Sequence, residues 1–210
     1  MATTLSGDVT VTGTLRVAGG SGNMPKRDRA DLSQETLVAY PLDLLNARVH
    51  DDIRAMVPAA GAADDLGLYG NTFATDSPTL ETGDLKAAGD TNRYARFQFI
   101  LPPEYDDGET VKIRVHCGME TTVSDTTGAV DIVCYKSDKE GGIGSDLCTT
   151  TETSCNILAF ADKDFAITST GFATGDILDF RLDAHVNDAA TGTAVILTIG
   201  SVEVLLDVRG

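Results

Sequence analysis

The stretch "GFATGDILDFRLDAHVNDAATG", residues 171–192, decides the fold class of this chain. Its apolar side chains stand at alternate positions: Leu178, Phe180, Leu182, Ala184 and Val186. Between them stand polar side chains: Asp179, Arg181, Asp183, His185 and Asn187. A period of two places each set on its own face of an extended chain, so this stretch predicts a β-strand with one buried face and one polar face.

Further strands are predicted on both sides of this stretch. They are "RYARFQFIL" (93–101), "TVKIRVHC" (110–117), "GAVDIVCY" (128–135), "NILAFA" (156–161), "DFAITS" (164–169) and "TAVILTIGSVEVLLDVRG" (193–210). In the last of these the apolar phase switches at Gly200, which predicts a β-bulge. About seven strands from Arg93 onward, joined by Gly, Asp and Asn turns, predict an all-β antiparallel jelly-roll sandwich.

The segment that precedes these strands, residues 36–58, supports two interpretations. Residues 36–58 alternate as a strand as far as Leu44, and Pro41 within it favours an edge position. The same segment also spaces apolar residues as a helix would, with Pro41 near its start. We expect an edge strand followed by a loop or short helix, then an irregular connection over 59–92 with one short strand. The predicted jelly-roll domain spans residues 37–210.

A separate one-sided strand, "LSGDVTVTGTLRVAGG" (5–20), lies near the amino terminus. Its apolar side chains are Leu5, Val9, Val11, Leu15 and Val17. Their burial would contribute roughly 7–15 kcal/mol, whereas ordering thirteen backbone units costs roughly 13–26 kcal/mol. We therefore expect residues 1–22 to form an extended β arm whose five apolar side chains are an interface with copies of the same chain or with a larger assembly.

Residues 23–36 read as a linker, rich in polar and charged residues. They contain "KRDR" at 26–29, which is either solvated linker charge or an anchor against an acidic surface. In the second interpretation the anchoring side chains are Lys26, Arg27 and Arg29.

The chain is acidic, with a net charge of −16 that is unevenly distributed. Residues 1–60 hold six basic and seven acidic residues, which leaves ten and 25 for residues 61–210. An acidic body argues against nucleic acid as a partner, since phosphate binding needs a basic surface. No apolar run is long enough to span a membrane, and "MATTLSGDVTV" lacks the features of a signal peptide, so folding in a cytoplasm is expected.

No catalytic signature is present, and we expect no enzymatic activity, cofactor or metal. None of the three histidines, His50, His116 and His185, has metal-ligand spacing with another. Cys117 and Cys134 are expected in the core. Cys148 and Cys155 flank a polar loop, and the sequence is compatible with a disulfide between them as well as with free thiols. Tryptophan is absent, so sugar stacking would fall to tyrosines: Tyr69, Tyr94, Tyr105 or Tyr135.

The run "GDVTVTGTLRVAGG" resembles the Gly–Val–Thr strand units of phage fibre and other virion proteins, in which three chains wrap their strands together. The stretches 93–119 and 175–210 resemble small jelly-roll domains of tailed-phage structural proteins. The combination resembles a capsid decoration (cement) protein. That resemblance implies a homotrimer on the outer capsid surface of a virion, with residues 1–35 gripping the major capsid protein.

Two other functions are compatible with the sequence. One is a tail-fibre or receptor-binding module whose jelly roll binds host glycans. The other is a non-viral carbohydrate-binding or adhesion domain.

Overall fold

The computed structural model describes residues 37–70, 72–121, 126–189 and 192–208. Its ten strands are β1 Val38–Leu42, β2 Gly67–Tyr69, β3 Thr79–Glu81, β4 Gly89–Ile100, β5 Val111–Met119, β6 Thr126–Lys136, β7 Thr153–Ser154, β8 Ala161–Ile167, β9 Ile177–Asp188 and β10 Leu197–Leu206. A 3-10 turn, Leu44–Asn46, follows β1. No helix of the described part is long and apolar enough to cross a membrane.

The strands form two antiparallel sheets. Sheet A has the order β2-β3-β10-β5-β8, with β1 also paired to β10, and sheet B has the order β4-β9-β6-β7. Consecutive strands from β3 to β10 alternate between the sheets except at the β6–β7 step. This is the connectivity of an eight-stranded jelly roll, so the predicted fold class is confirmed for the described residues.

The core lies between the two sheets. The five alternate apolar side chains of β9 are all buried, as their period predicted. Phe180 of β9 stacks on Phe97 of β4 with ring centroids 5.6 Å apart. The polar side chains that alternate with these apolar residues in β9 consequently lie on the outer face of sheet B.

The long closing strand β10 joins the halves of sheet A. On one side it pairs with β5 throughout, and its register shifts between Ile199 and Ser201, which confirms the bulge predicted at Gly200. On its other side, β3 pairs with Thr198 and Ile199, and β1 pairs with Val202 through Leu206. One hydrogen-bonding edge of β10 is therefore shared by two short strands, β3 and β1.

The segment before β4 departs in part from prediction. The expected edge strand ends at Leu42 rather than Leu44, and the short helix is the 3-10 turn after it. The connection over 59–92 contains two short strands, β2 and β3, rather than one, and β4 itself begins at Gly89. The sequence did not locate these strands because each has only three residues, too few to show a period.

The strand predicted for "NILAFA" is wrong. Residues 155–160 form no strand, and β8 begins only at Ala161. Leu158 is 60% exposed, while the Phe160 ring packs over Gly118 of β5. Phe160 therefore lies against the outer face of sheet A, while Ile157 and Leu158 remain exposed.

The four cysteines are free thiols. Cys117 and Cys134 are buried in the core, as predicted. Cys155 is also buried, and its neighbour is Cys117 rather than Cys148. A hydrogen bond with Cys117, together with burial, raises the pKa of the Cys155 thiol.

Candidate functional site

A pocket of about 700 Å³ opens on the outer face of sheet A, where β2, β3 and the start of β10 meet. Leu80 of β3 points into the core, so its neighbours Thr79 and Glu81 point outward into the pocket. Thr198 of β10 lies opposite Glu81 in the β3–β10 register. Directly opposite residues share a face, so these side chains form the pocket floor.

Glu81 is a buried carboxylate at this floor, with 9% of the residue exposed. One of its oxygens accepts a hydrogen bond from the Thr79 hydroxyl at 2.8 Å. Burial raises the pKa of the Glu81 carboxyl, and the charge of Glu120 on the pocket wall raises it further. The pocket thus holds a carboxylate that is short of stabilising partners.

Thr198 adds a second polar group to the floor. The residue is 4% exposed, and its Oγ1 has no hydrogen-bond partner among the described residues. A buried hydroxyl without a partner is uncommon in proteins, because its desolvation is not offset. A ligand in the pocket would supply the missing partner.

Two aromatic side chains, Tyr69 and Phe160, line the same pocket. Phe160 comes close to the sheet because Gly118 has no side chain. A Cβ added at Gly118 would lie 2.4 Å from the Phe160 ring. The absence of a side chain at Gly118 therefore provides the space that the Phe160 ring occupies.

The arrangement combines hydrogen-bond acceptors on the floor with apolar rings at the sides. Such a pocket can accept hydrogen bonds from hydroxyl or ammonium groups while its rings pack against C–H groups.

The outer face of sheet B is a second polar surface, but its central aromatic ring is covered. The Tyr94 ring lies 4.6 Å from the His50 ring, and the Arg181 guanidinium carbon lies 4.5 Å from its centroid. Arg181 in turn donates two hydrogen bonds to Asp183, at 2.6 and 2.8 Å. Tyr94 is therefore part of a packed network rather than an open stacking platform.

The remaining tyrosines considered for sugar stacking lie elsewhere. Tyr105 is fully buried, and its hydroxyl donates to the Glu109 carbonyl at 2.7 Å. Tyr135 is half-buried on β6, at the outer face of sheet B. Of the four candidates, Tyr69 is the one that lines the pocket of sheet A.

Two of the three histidines, His116 and His185, lie on polar outer faces of the sheets. His116 Nδ1 lies 2.7 Å from an Asp162 oxygen on sheet A. His185 contacts carboxylates through both ring nitrogens, Glu152 at 3.0 Å and Asp90 on the other side. The contacts with Asp162 and Asp90 join neighbouring strands, whereas Glu152 lies just before β7.

His50 belongs to a group that the sequence spacing did not reveal. Ligand atoms of His50, Asp64 and Asp65 lie within 4.8 Å of one another. An imidazole with two carboxylates is a donor set that suits a divalent metal. Backbone hydrogen bonds hold Asp64 and its neighbour Asp65 beside Tyr94, near His50. Because the fold brings these residues together, their spacing along the chain did not predict the group.

Asp131 and Asp183 are paired carboxylates on the outer face of sheet B. They lie directly opposite each other in the β6–β9 register. Burial raises the pKa of both the Asp131 and the Asp183 carboxyl, and nearby acidic charges raise these pKa values further. Their ionisation therefore destabilises the fold near neutral pH, and this effect is relieved as the pH falls through the raised pKa values.

We expect Asp131→Asn to raise the free energy of unfolding at pH 7 by up to about 1 kcal/mol, because it removes one of two opposed like charges. The same variant should gain less stability than the wild type when the pH is lowered from 7 to 5. Urea unfolding at both pH values tests this. Asp76→Asn, which removes a carboxylate from an exposed residue, is the control for the loss of one negative charge.

The interface and anchoring residues predicted from the sequence lie outside the described residues. They are Leu5, Val9, Val11, Leu15, Val17, Lys26, Arg27 and Arg29. The pocket residues Glu81, Thr198 and Phe160 were not singled out from the sequence. The alternation of Thr79 and Glu81 around Leu80 was the available signal for the first of them.

No protein-family model matches the chain, and the comparison with curated proteins finds no match. Among solved structures, the xylan-binding module CBM15 aligns with 83% of this chain and 99% of its own, at 17% identity and a TM-score of 0.41. The CBM22-1 xylan-binding domain from Paenibacillus barcinonensis Xyn10C aligns with 84% of this chain and 96% of its own, at 11% identity and a TM-score of 0.40. A structure of infectious bursal disease virus Gx strain aligns with 68% of this chain and 37% of its own, at 10% identity and a TM-score of 0.28. At these scores the alignments assign neither a family nor a ligand to this chain.

Proposed function

We propose that this chain is a non-catalytic binding protein whose jelly-roll body recognises a saccharide in the pocket of sheet A. One observation carries the proposal: two aromatic rings flank a floor that holds a buried carboxylate and an unpartnered buried hydroxyl. A pyranose ring presents C–H groups on its faces and hydroxyl groups at its edge. The pocket matches both kinds of group, since the rings pack against C–H groups and Glu81 accepts from hydroxyls.

A virion tail-fibre or receptor-binding module is the setting that fits this function. The one-sided strand predicted from the sequence of residues 5–20 requires copies of itself or a larger assembly to cover its apolar face. Repeated copies would add avidity to a weak sugar site.

Removal of the Tyr69 ring tests the proposal. The ligand is whichever β-1,4-linked hexamer of glucosamine, N-acetylglucosamine or glucose binds the wild type most tightly. We expect Tyr69→Ala to weaken its binding by about tenfold, or about 1.4 kcal/mol, because one wall of the pocket is lost. Titration calorimetry on the full chain gives the affinities. Tyr135→Ala is the matched control, because it removes the same side chain from the opposite sheet.

Equal affinities for the two variants and the wild type would contradict the proposal. Unchanged thermal midpoints of both variants would show that a loss of affinity does not come from unfolding.

Capsid decoration is a second candidate, and the arm favours it. An arm with five apolar side chains on one face, followed by Lys26, Arg27 and Arg29, suits attachment to a shell with acidic surface groups. In this function the chain is a homotrimer on the outer capsid surface, bound to the major capsid protein. The trimer is tested by the truncation described in the Discussion.

A further inference from the structure

We infer that the saccharide selected by the pocket of sheet A carries a free, positively charged amine. The inference rests on the proposed saccharide-binding function and names the chemical class of its ligand. It is carried by the charges of the pocket lining and by the two buried polar groups of the floor.

The pocket lining has a strongly negative charge. Asp76, Glu81 and Glu120 line it, and the described lining residues include no Lys, Arg or His. A neutral sugar would shield these carboxylates from water without supplying an opposite charge. An ammonium group supplies both the charge and hydrogen-bond donors.

Glu81 differs in this respect from three other carboxylates whose side chains have low exposure. The side chains of Asp176, Asp179 and Asp183 are 13%, 16% and 14% exposed, and each contacts a basic side chain. Lys136 contacts Asp176 at 2.5 Å, and arginines pair with the other two. Glu81, at 9% exposure, has no ion pair with any described residue. Glu81 therefore lacks the basic partner that each of these three carboxylates has.

The position of Thr198 indicates where an ammonium would lie. Thr198 is paired with Glu81 in the strand register, so its Oγ1 lies on the same face in the adjacent strand. An ammonium between these strands would donate one hydrogen bond to the Glu81 carboxylate and another to Thr198 Oγ1. Both unmet requirements of the floor would be satisfied by one group.

A series of sugars that differ only at carbon 2 tests the inference. The probes are the β-1,4-linked hexamers of glucosamine, N-acetylglucosamine and glucose, which carry an ammonium, an acetamide and a hydroxyl at this position. We expect the full chain to bind the glucosamine hexamer at least tenfold more tightly than either of the others at pH 6 and low salt, by titration calorimetry. Charge-assisted hydrogen bonds to a desolvated carboxylate are strong enough for this preference.

The variant Glu81→Gln keeps the shape of the side chain and removes its charge. We expect it to reduce the preference for the amine to threefold or less. Glu140→Gln is the matched control, because Glu140 lies on an exposed turn, and it should keep the full preference.

Each outcome bears on a different claim. Similar affinity of the wild type for all three hexamers would overturn the inference while the proposed saccharide binding stands. Failure to bind any of them would contradict both. A lysine hexapeptide that binds as tightly as the glucosamine hexamer would show that the pocket recognises an ammonium without the sugar ring, and would overturn the inference.

Discussion

Replacement of Gly67 by alanine is expected to lower the free energy of unfolding by about 3 kcal/mol, because β2 lies against backbone at this position. A Cβ at Gly67 would lie 2.1 Å from the Gly61 nitrogen and 2.3 Å from the Ala60 carbonyl carbon. The obstacle cannot rotate away, since it is main chain. Nor can it retreat, because Gly61 itself lies against the Thr82 carbonyl, where an added Cβ would be 2.3 Å from the oxygen.

The same substitution should also weaken ligand binding, since Gly67 is paired with Glu81 in the β2–β3 register. Urea unfolding measures the loss of stability. Gly144→Ala is the matched control, because a Cβ there would meet no atom within 4 Å. We expect the control to unfold at the wild-type urea concentration or slightly above it, since alanine restricts the unfolded chain. A Gly67→Ala protein as stable as this control would contradict the close packing of residues 60–61 against Gly67 of β2 and the Thr82 carbonyl that follows β3.

Deletion of residues 1–23 is expected to convert a trimer into a monomer. The sequence of residues 5–17 predicts a strand with five apolar side chains on one face that cannot order itself alone, so three such strands together are the simplest way to cover these side chains. The jelly-roll body has its own core between two sheets and should remain folded. Light scattering of the full chain and of a chain starting at Met24 should therefore give masses of three protomers and of one.

The full chain with Val9 and Val11 both changed to Asp provides a second measurement, since it keeps the length of the arm and removes its apolar face. It should also be a monomer. Trimers in both shortened and charged variants would place the trimer contacts in the body. A monomeric full chain would contradict the homotrimer altogether.

Much of the fold could be predicted because the long strands carry their own signal. The alternation in β9 identified the side chains of the core, and the phase switch at Gly200 identified the bulge in β10. In each case a period of two over nine or more residues is imposed by one buried face. Local sequence is sufficient for such elements.

The pocket could not be predicted in this way because it is assembled from distant, short segments. Glu81 belongs to a three-residue strand in a stretch rich in Gly and Thr, and its partner Thr198 lies within an apolar run that reads as core. Phe160 was assigned to a strand because "NILAFA" is apolar, but Gly118 of another strand provides the space that its ring occupies. Such contacts depend on which strands become neighbours, and the sequence does not encode this locally.

The central claim is that the pocket of sheet A, and not the polar face of sheet B, binds a saccharide. Amide chemical shifts of the full chain, followed during titration with the tightest-binding of the three hexamers, test it most directly. We predict the largest shifts in residues 67–69, 79–81 and 197–199, around the pocket floor. Shifts concentrated around Tyr94 and Arg181 on sheet B, or no shifts at all, would contradict the account.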